Sequence, residues 1–331
     1  MNFDLDTGQR DAAAAARQFF SEQAAPAAAR QALEGIGGVR PGLAALAGIG
    51  FLGITVAEAA GGAGSGLLDL AVVAEQGGAV LAGPSLVTAA RAAVLLADVP
   101  ELAAQLADGS AAFAVVDGSP DRSHPSIDAA DATTFLALDD GALVVGGGVA
   151  TPGRPLDATR GLASVRLTDR RVLVPDAEEL WARARQVAAV VLAAEDLGAA
   201  DRCVALGVEY AKQREAFGRL IGSYQAVKHQ LVDAWVEVDQ LRSLVWWAAW
   251  AADAAPDQLP LAAAAAKAQA AAAFERAAET VIQVHGGIGF TWEHDAHLYW
   301  RRAKVDRLLL GDEAEHLDTV ARLAVAGALG V

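Results

Sequence analysis

The chain has little of what stabilises small secreted proteins or anchors proteins in membranes. A single cysteine, Cys203, excludes an internal disulfide and a metal site with two cysteine ligands, and we interpret it as a core residue. No stretch of about eighteen apolar residues is free of charge, and the first residues carry acids where a secretory signal carries lysine or arginine. The sequence therefore predicts a cytoplasmic protein that does not span a membrane.

Basic residues are also scarce. Lysine and arginine together number 26, against 41 aspartates and glutamates, which gives a formal net charge of -15. Such an excess of negative charge argues against nucleic acid as a partner. It does not exclude an anionic coenzyme, because salt screens charges beyond about 8–10 Å and a local basic cluster acts on its own surroundings.

Hydrophobic residues make up 54% of the chain, and many of them are alanine, which favours helix. Apolar residues recur at intervals of three and four in two early segments and in three long later ones, which predicts helices there. The helical segments are 11–22, 67–81, 187–214, 224–253 and 261–285. A turn at residues 256–260, which contains two prolines, separates the last two.

The middle of the chain has short apolar runs bounded by turns, which is typical of β-strands. The predicted strands are 112–116, 134–138, 142–145, 164–167 and 171–174, with a tight turn at 139–141. We therefore predict a mostly α protein with a small β domain. Its parts are an N-terminal helical domain at residues 1–110, the β domain at 111–176 and a C-terminal antiparallel helix bundle at 177–331.

Two segments carry residues suited to a diphosphate. Residues 210–218 read YAKQREAFG and contain Arg214 and Phe217, and residues 283–290 read QVHGGIGF. A glycine pair where a helix ends lets backbone N–H groups approach an anion, and a guanidinium binds phosphate through two hydrogen bonds. Together they predict a diphosphate site.

The spacing of these segments, with Gln225 following Arg214, resembles the acyl-CoA dehydrogenase family of flavoproteins. The blocks at residues 50–64 and 70–75 also resemble that family in order. In the family, the corresponding residues hold the ADP half of FAD across a subunit boundary. The resemblance implies FAD as cofactor, an acyl-CoA substrate and these cofactor-binding residues: Arg214, Phe217, Gln225, Gln283, Val284, His285, Gly286 and Gly287.

Other parts of the chain depart from the family pattern. Residues 115–121 replace the T-E-P-x-x-G-S-D run, and no tryptophan precedes Trp181, so the family's contacts to the flavin ring are not evident. Leu310 stands where the family has its catalytic glutamate, and Ala188 stands at the alternative position of that base. Alkyl side chains cannot accept a proton. We therefore predict no catalytic residue in this chain.

The chain is most similar to the α2β2 branch known from bacterial steroid side-chain degradation, in which one subunit type has lost the base. That similarity implies a full-length homologous partner, α,β-dehydrogenation of a bulky acyl-CoA and electron transfer to an electron-transfer flavoprotein. Two alternatives stay open. A homo-oligomer would use Glu195, Asp312 or Glu313 as a displaced base, or the chain is a structural subunit without a substrate pocket.

The remaining features have ordinary interpretations. The glycines at 61–66 are expected in an interhelical loop, since a dinucleotide-binding loop follows a strand. Four histidines near the C-terminus lack the spacing of a metal site, and we predict none: His285, His294, His297 and His316. Four tryptophans of the second bundle helix belong either to the core or to a subunit interface: Trp235, Trp246, Trp247 and Trp250.

Overall fold

The structure, a computed structural model, describes residues 4–23, 26–34, 42–83 and 85–329. Six helices form its N-terminal part. They are α1 (Thr7–Gln23), α2 (Pro26–Leu33), α3 (Leu43–Gly48), α4 (Leu67–Ala79), α5 (Leu86–Leu95) and α6 (Pro100–Ala107). The Ser85 hydroxyl caps α5 by accepting a hydrogen bond from the N–H of Val87 at 3.1 Å. Helices α1 and α4 match the two early predicted segments, and residues 61–66 form the predicted loop before α4.

A mixed four-stranded sheet follows. Its strands lie in the order β1 (Phe113–Val116), β4 (Thr134–Asp139), β5 (Ala142–Pro152) and β6 (Ala163–Val174), with only the β1–β4 pair parallel. Between β1 and β4, β2 (Gly118–Ser119) and β3 (Arg122–Ser123) form a short hairpin. The predicted turn joins β4 to β5 through Asp140 and Gly141, both at positive φ.

One strand prediction was wrong. The segments 164–167 and 171–174 are not separate strands, because β6 pairs with β5 along its whole length. A register shift between the pairs Val145–Arg171 and Gly147–Thr168 accommodates the residues between the two segments.

Five helices form the C-terminal bundle. They are α7 (Glu178–Ala211), α8 (Gln225–Ala254), α9 (Leu259–His285), α10 (Ala296–Asp306) and α11 (Glu313–Leu329). A hairpin of β7 (Glu215–Ala216) and β8 (Arg219–Leu220) joins α7 to α8. Helix α7 starts earlier than the predicted 187, because residues 178–186 favour helix and two glutamates stabilise its first turn. The proposed domain boundaries fall between α6 and β1 and between β6 and α7.

Helices α4 and α7 cross at backbone contact. A Cβ atom on Gly78 would lie 1.8 Å from the carbonyl oxygen of Glu195, and one on Gly198 would lie 1.8 Å from that of Glu75. Only glycine fits at this crossing. Cys203, which lies on α7, is fully buried as predicted, and burial raises the pKa of its thiol.

The tryptophans of α8 divide into two groups. Trp246, Trp247 and Trp250 pack against the main core, whereas Trp235 is 52% exposed.

None of the helices in the described ranges is both long and apolar enough to cross a membrane.

Candidate functional site

A small apolar cluster joins the ends of α7 and α9 to the beginning of α8. Its buried members are Ala211, Leu231 and Val284. Next to it, the ring of Tyr210 stacks on His285 with the centroids 4.2 Å apart. Val284 and His285 are therefore buried, and their side chains fix the end of α9 against the end of α7.

The other six predicted cofactor residues lie at the surface around this cluster. They are Arg214, Phe217, Gln225, Gln283, Gly286 and Gly287, all exposed. The backbone of Arg214 is fixed, since its N–H donates to the Tyr210 carbonyl at 2.9 Å and its carbonyl accepts from the N–H of Ile221 at 2.8 Å. Phe217 lies in the β7–β8 turn and is 97% exposed.

The backbone at the glycine pair differs in one respect from the sequence interpretation. It follows the carboxyl end of α9, where the helix dipole is negative and does not favour an anion. The N–H of Gly286 bonds to the carbonyls of Ile282 and Gln283, so it is not free for a phosphate. A Cβ on Gly286 or Gly287 would meet nothing within 4 Å, so the space beside the pair is open.

Positive charge at this surface comes from the segment between α7 and the first turn of α8. The segment contains four basic residues and one acidic one, Glu215, in a chain that is acidic overall. The basic residues are Lys212, Arg214, Arg219 and Lys228. Arg219 lies over the ring of Tyr224 at 3.9 Å. The site is therefore a local basic patch.

The two histidines near this site, His285 and His294, form hydrogen bonds with nearby backbone groups. His285 donates through Nδ1 to the Val281 carbonyl at 2.7 Å, its ring lies 4.1 Å from that of His294, and burial lowers its pKa. His294 accepts through Nδ1 from the N–H of Ala296 at 3.1 Å. Among the described residues, no three side chains of His, Cys, Asp or Glu form a group that could hold a metal ion.

A second candidate site is a cavity of about 430 Å³ between α5, the end of β1, the start of α7 and residues 308–311. This volume lies within the usual range for ligand sites. Leu310, at the position of the family's glutamate, is part of its wall, whereas Ala188 is fully buried. The apolar wall includes Val87, Val115, Pro125, Ile127, Trp181, Ala182, Leu308, Leu309 and Leu310.

An ion pair that the sequence interpretation missed lines the same cavity. The guanidinium of Arg91 donates to the carboxylate of Asp117 through two hydrogen bonds of 2.7 and 2.6 Å. Arg91 is 3% exposed and lies 4.6 Å from the centre of the Trp181 ring. Burial disfavours the charged form of Asp117, but the hydrogen bonds and charge of Arg91 outweigh it and hold the pKa of this carboxyl below its usual value. The available signal was a lone charged residue, Arg91, in the otherwise apolar helix α5.

None of the three candidate displaced bases lines this cavity. The carboxylate of Glu195 is buried, pairs with Arg160, and accepts from the Ser85 hydroxyl at 2.9 Å. Asp312 accepts from the N–H of Glu315 at 2.9 Å and so caps α11, and Glu313 lies in the first turn of that helix. Each carboxylate has a structural role, and Glu195 is paired rather than solvated.

Glu195 belongs to a buried charge network that links α5, the sheet region and the bundle. Arg160 bonds to both Glu195 and Asp306, with 2.8 Å between its Nε and Asp306 Oδ1. Lys267 donates to the Asp306 carbonyl at 3.0 Å. Burial lowers the pKa of Lys267, although the charges of Asp196 and Asp306 oppose this shift.

Two further acids of the network have raised pKa values. Asp128 accepts from the Thr88 hydroxyl at 2.7 Å and from the N–H of Ser85 at 3.2 Å, yet burial raises its pKa to about 6. Burial and the neighbouring carboxylate of Asp306 raise the pKa of Asp196. Burial therefore favours the neutral form of the Asp196 carboxyl.

Comparison with known proteins agrees with this architecture. The model of the acyl-CoA dehydrogenase N-terminal domain matches residues 6–99, and that of the C-terminal domain matches residues 182–325. Acyl-CoA dehydrogenase IpdE2 of Mycobacterium tuberculosis is 39% identical over 274 residues, which are 81% of each chain. The chain belongs to the acyl-CoA dehydrogenase family, whose members are FAD-dependent oxidoreductases.

Solved structures show the same fold. A chain of the ChsE4-ChsE5 complex from Mycobacterium tuberculosis superposes with a TM-score of 0.86 at 23% identity, covering 98% of this chain and 99% of that one. A chain of the Tcur3481-Tcur3483 steroid ACAD superposes with a TM-score of 0.81 at 27% identity, covering 97% of this chain and 98% of that one. Both are similar to this chain over nearly its whole length.

Proposed function

We propose that this chain is a subunit of a heteromeric acyl-CoA dehydrogenase and completes the FAD site of a full-length homologous partner. The observation that carries this proposal is the grouping of exposed predicted cofactor residues around the cluster of Ala211, Leu231 and Val284. Arg214 would bind the diphosphate, Phe217 and the two glycines would lie against the ADP half, and Gln225 and Gln283 would donate or accept hydrogen bonds. Val284 and His285 would position these groups from beneath.

These residues fit the ADP half of FAD in chemistry. The patch offers a cation for the diphosphate and open space above Gly286 and Gly287. Apolar side chains nearby are unusually exposed: Phe290 at 79%, Trp292 at 57% and Ile288 at 42%. Exposed apolar groups beside polar binding groups are typical of a surface that another chain covers.

The chain's own cavity supports a partner that supplies the base. Leu310 lines it where the family has glutamate, and Glu195, Asp312 and Glu313 are engaged in pairing or capping. The partner's cavity would then hold the acyl-CoA, a bulky, steroid-derived thioester, beside an FAD that would supply the hydride acceptor. Electrons would leave to an electron-transfer flavoprotein in the cytoplasm. Two similar structures carry pairs of names, ChsE4-ChsE5 and Tcur3481-Tcur3483, which favours a heteromer over a homo-oligomer.

The test is to purify the chain alone and together with a full-length homologue, and to measure bound flavin per chain. We expect the chain alone to retain little or no FAD and the complex to be yellow and active. Stoichiometric FAD in a homogeneous preparation of the chain alone would contradict the heteromeric proposal.

A further inference from the structure

The cavity next to Leu310 contains a carboxylate to which the proposed function gives no role. The side chain of Asp117 is 34% exposed, whereas that of its partner Arg91 is 4% exposed. Asp117 lines the cavity, and Arg91 holds it through two hydrogen bonds. A fixed carboxylate in a largely apolar cavity is a specific recognition group.

The hydrogen-bonding capacity of Asp117 is only partly used. An ionised carboxylate accepts at about four lone-pair positions and donates at none. Arg91 occupies two of these positions, and no other side chain in the described ranges donates to the Asp117 carboxylate. Unfilled acceptor positions therefore remain on a side chain that borders the cavity.

The charges around the cavity disfavour an anionic ligand. Asp117 compensates Arg91, and Arg185 pairs with Glu315 at 3.1 Å. Glu178 adds a further negative charge at the wall, where His124 is the remaining titratable group. An anion would therefore meet no cation that lacks a counter-charge, and a neutral ligand is favoured.

We propose that this cavity binds a neutral, mostly apolar molecule that donates a hydroxyl hydrogen bond to Asp117. Leucine, valine and isoleucine side chains and the Trp181 ring would enclose the apolar body. Because Asp117 accepts and cannot donate, an alcohol binds better than the matching ketone. The cavity is separate from the residues of the FAD half-site, so its occupancy is measurable with the chain alone. Failure of one proposal therefore leaves the other in place.

Three decalin derivatives of nearly equal size test the proposal by calorimetric titration of the chain. They are decahydronaphthol, decalone and decalin carboxylate. We expect the alcohol to bind about tenfold or more tightly than the ketone, since only the alcohol donates a hydrogen bond to the charged carboxylate. The carboxylate should bind most weakly. Equal binding of alcohol and ketone, a preference for the ketone or the carboxylate, or no binding of any of them would overturn the proposal.

Two substitutions, Asp117→Asn and Ala182→Phe, test whether the ligand binds in this cavity. Asp117→Asn replaces the carboxylate with an amide that both donates and accepts, so the preference for alcohol over ketone should fall to near unity. Asp121→Asn is the matched control, because Asp121 pairs with Arg170, is 72% exposed and does not line the cavity. It should keep the preference of the parent chain, and an unchanged preference in Asp117→Asn would contradict the assignment.

The second variant, Ala182→Phe, covers the case in which Asp117→Asn fails to fold because buried Arg91 loses its counter-charge. Ala182 is an exposed residue of α7 at the cavity wall, so Ala182→Phe adds bulk at that wall without replacing either member of the ion pair. Binding of both alcohol and ketone should fall by about tenfold or more. Unchanged binding in Ala182→Phe would place the ligand elsewhere and refute the proposal.

Discussion

Two groups of charged residues in this protein differ in whether their charges are balanced within the chain. In the interior, Arg160 meets Glu195 and Asp306, and these charges connect three parts of the fold. At the candidate half-site, Arg214 and Lys212 form no ion pair with any residue that the structure describes. Interior charges that are paired contribute to stability when kept together, whereas an unpaired surface cation is available to a ligand. Substitution of an arginine should therefore reduce stability in the interior, at Arg160, and ligand binding at the half-site, at Arg214.

Removal of the central interior cation should have the largest effect. Arg160→Leu would leave Glu195 and Asp306 buried without their counter-charge, and breaking such a pair costs about 3–5 kcal/mol. We expect this loss in the free energy of unfolding measured with urea. Arg170→Leu is the control, because its ion pairs are partly exposed and should contribute at most about 1 kcal/mol. Similar losses in both variants would remove the distinction between interior and surface charge.

The next effect concerns pH. Asp128 has a pKa of about 6 in the folded protein against an ordinary value of 3.8, so the folded state binds its proton more tightly than the unfolded state. The stability that this protonation contributes is present below about pH 4 and is lost as the pH rises through 6. Asp128→Asn should therefore stabilise the protein at pH 7.5 by about 1–3 kcal/mol, with the gain disappearing towards pH 4. Melting temperatures of both proteins across this range check the sign, and a gain that grows on acidification would contradict it.

Removal of the half-site arginine should affect ligand binding and leave stability unchanged. Arg214→Ala in the heteromeric complex should weaken FAD retention about tenfold or more, because a charge-assisted hydrogen bond contributes roughly 1.5–3 kcal/mol. Helix content and melting temperature of the isolated chain should not change. Arg322→Ala, which removes an exposed arginine of α11, is the matched control and should retain FAD like the parent. Unaltered flavin affinity in Arg214→Ala would place the diphosphate elsewhere.

The smallest effects are expected at the surface carboxylates near Leu310. Asp312→Asn and Glu313→Gln should leave turnover of the complex within a few-fold, since neither side chain lines the cavity. Loss of a positioned general base lowers turnover by a factor on the order of 10²–10⁴. Such a loss in one variant, with assembly and flavin content intact, would identify that residue as the base. Glu195→Gln is less informative, because it also disturbs the pair with Arg160.

The sequence predicted the parts of the fold that depend on local periodicity. Helices α1, α4, α8 and α9 follow from apolar spacing, and the turn at Asp140 and Gly141 follows from its residue types. The half-site residues were predicted from two short segments and from the later Gln225. The burial of Val284 and His285 was not predictable in the same way, since they are covered by residues of α7 and α8 that are distant in sequence.

The buried charges escaped prediction for a physical reason. A charged residue in a helix is usually solvated, so Glu195 carried no sequence signal that Arg160 would meet it in the interior. Asp117 and Arg91 are 26 positions apart, and only the packing of α5 against β1 brings them together. Pairings of this kind depend on tertiary structure, which local patterns do not contain.

The glycine contact between α4 and α7 determines how closely these two helices approach each other. Because Gly78 and Gly198 allow the two backbones to touch, a side chain at either position would not fit between the helices. The distance between the two helices is therefore fixed at this crossing. Trp181 lies on α7 and Arg91 lies on α5, which packs against α7, so this wall of the cavity is built on one of the two helices that cross. Adjustment to ligands of different size must come from the opposite wall, at residues 308–311.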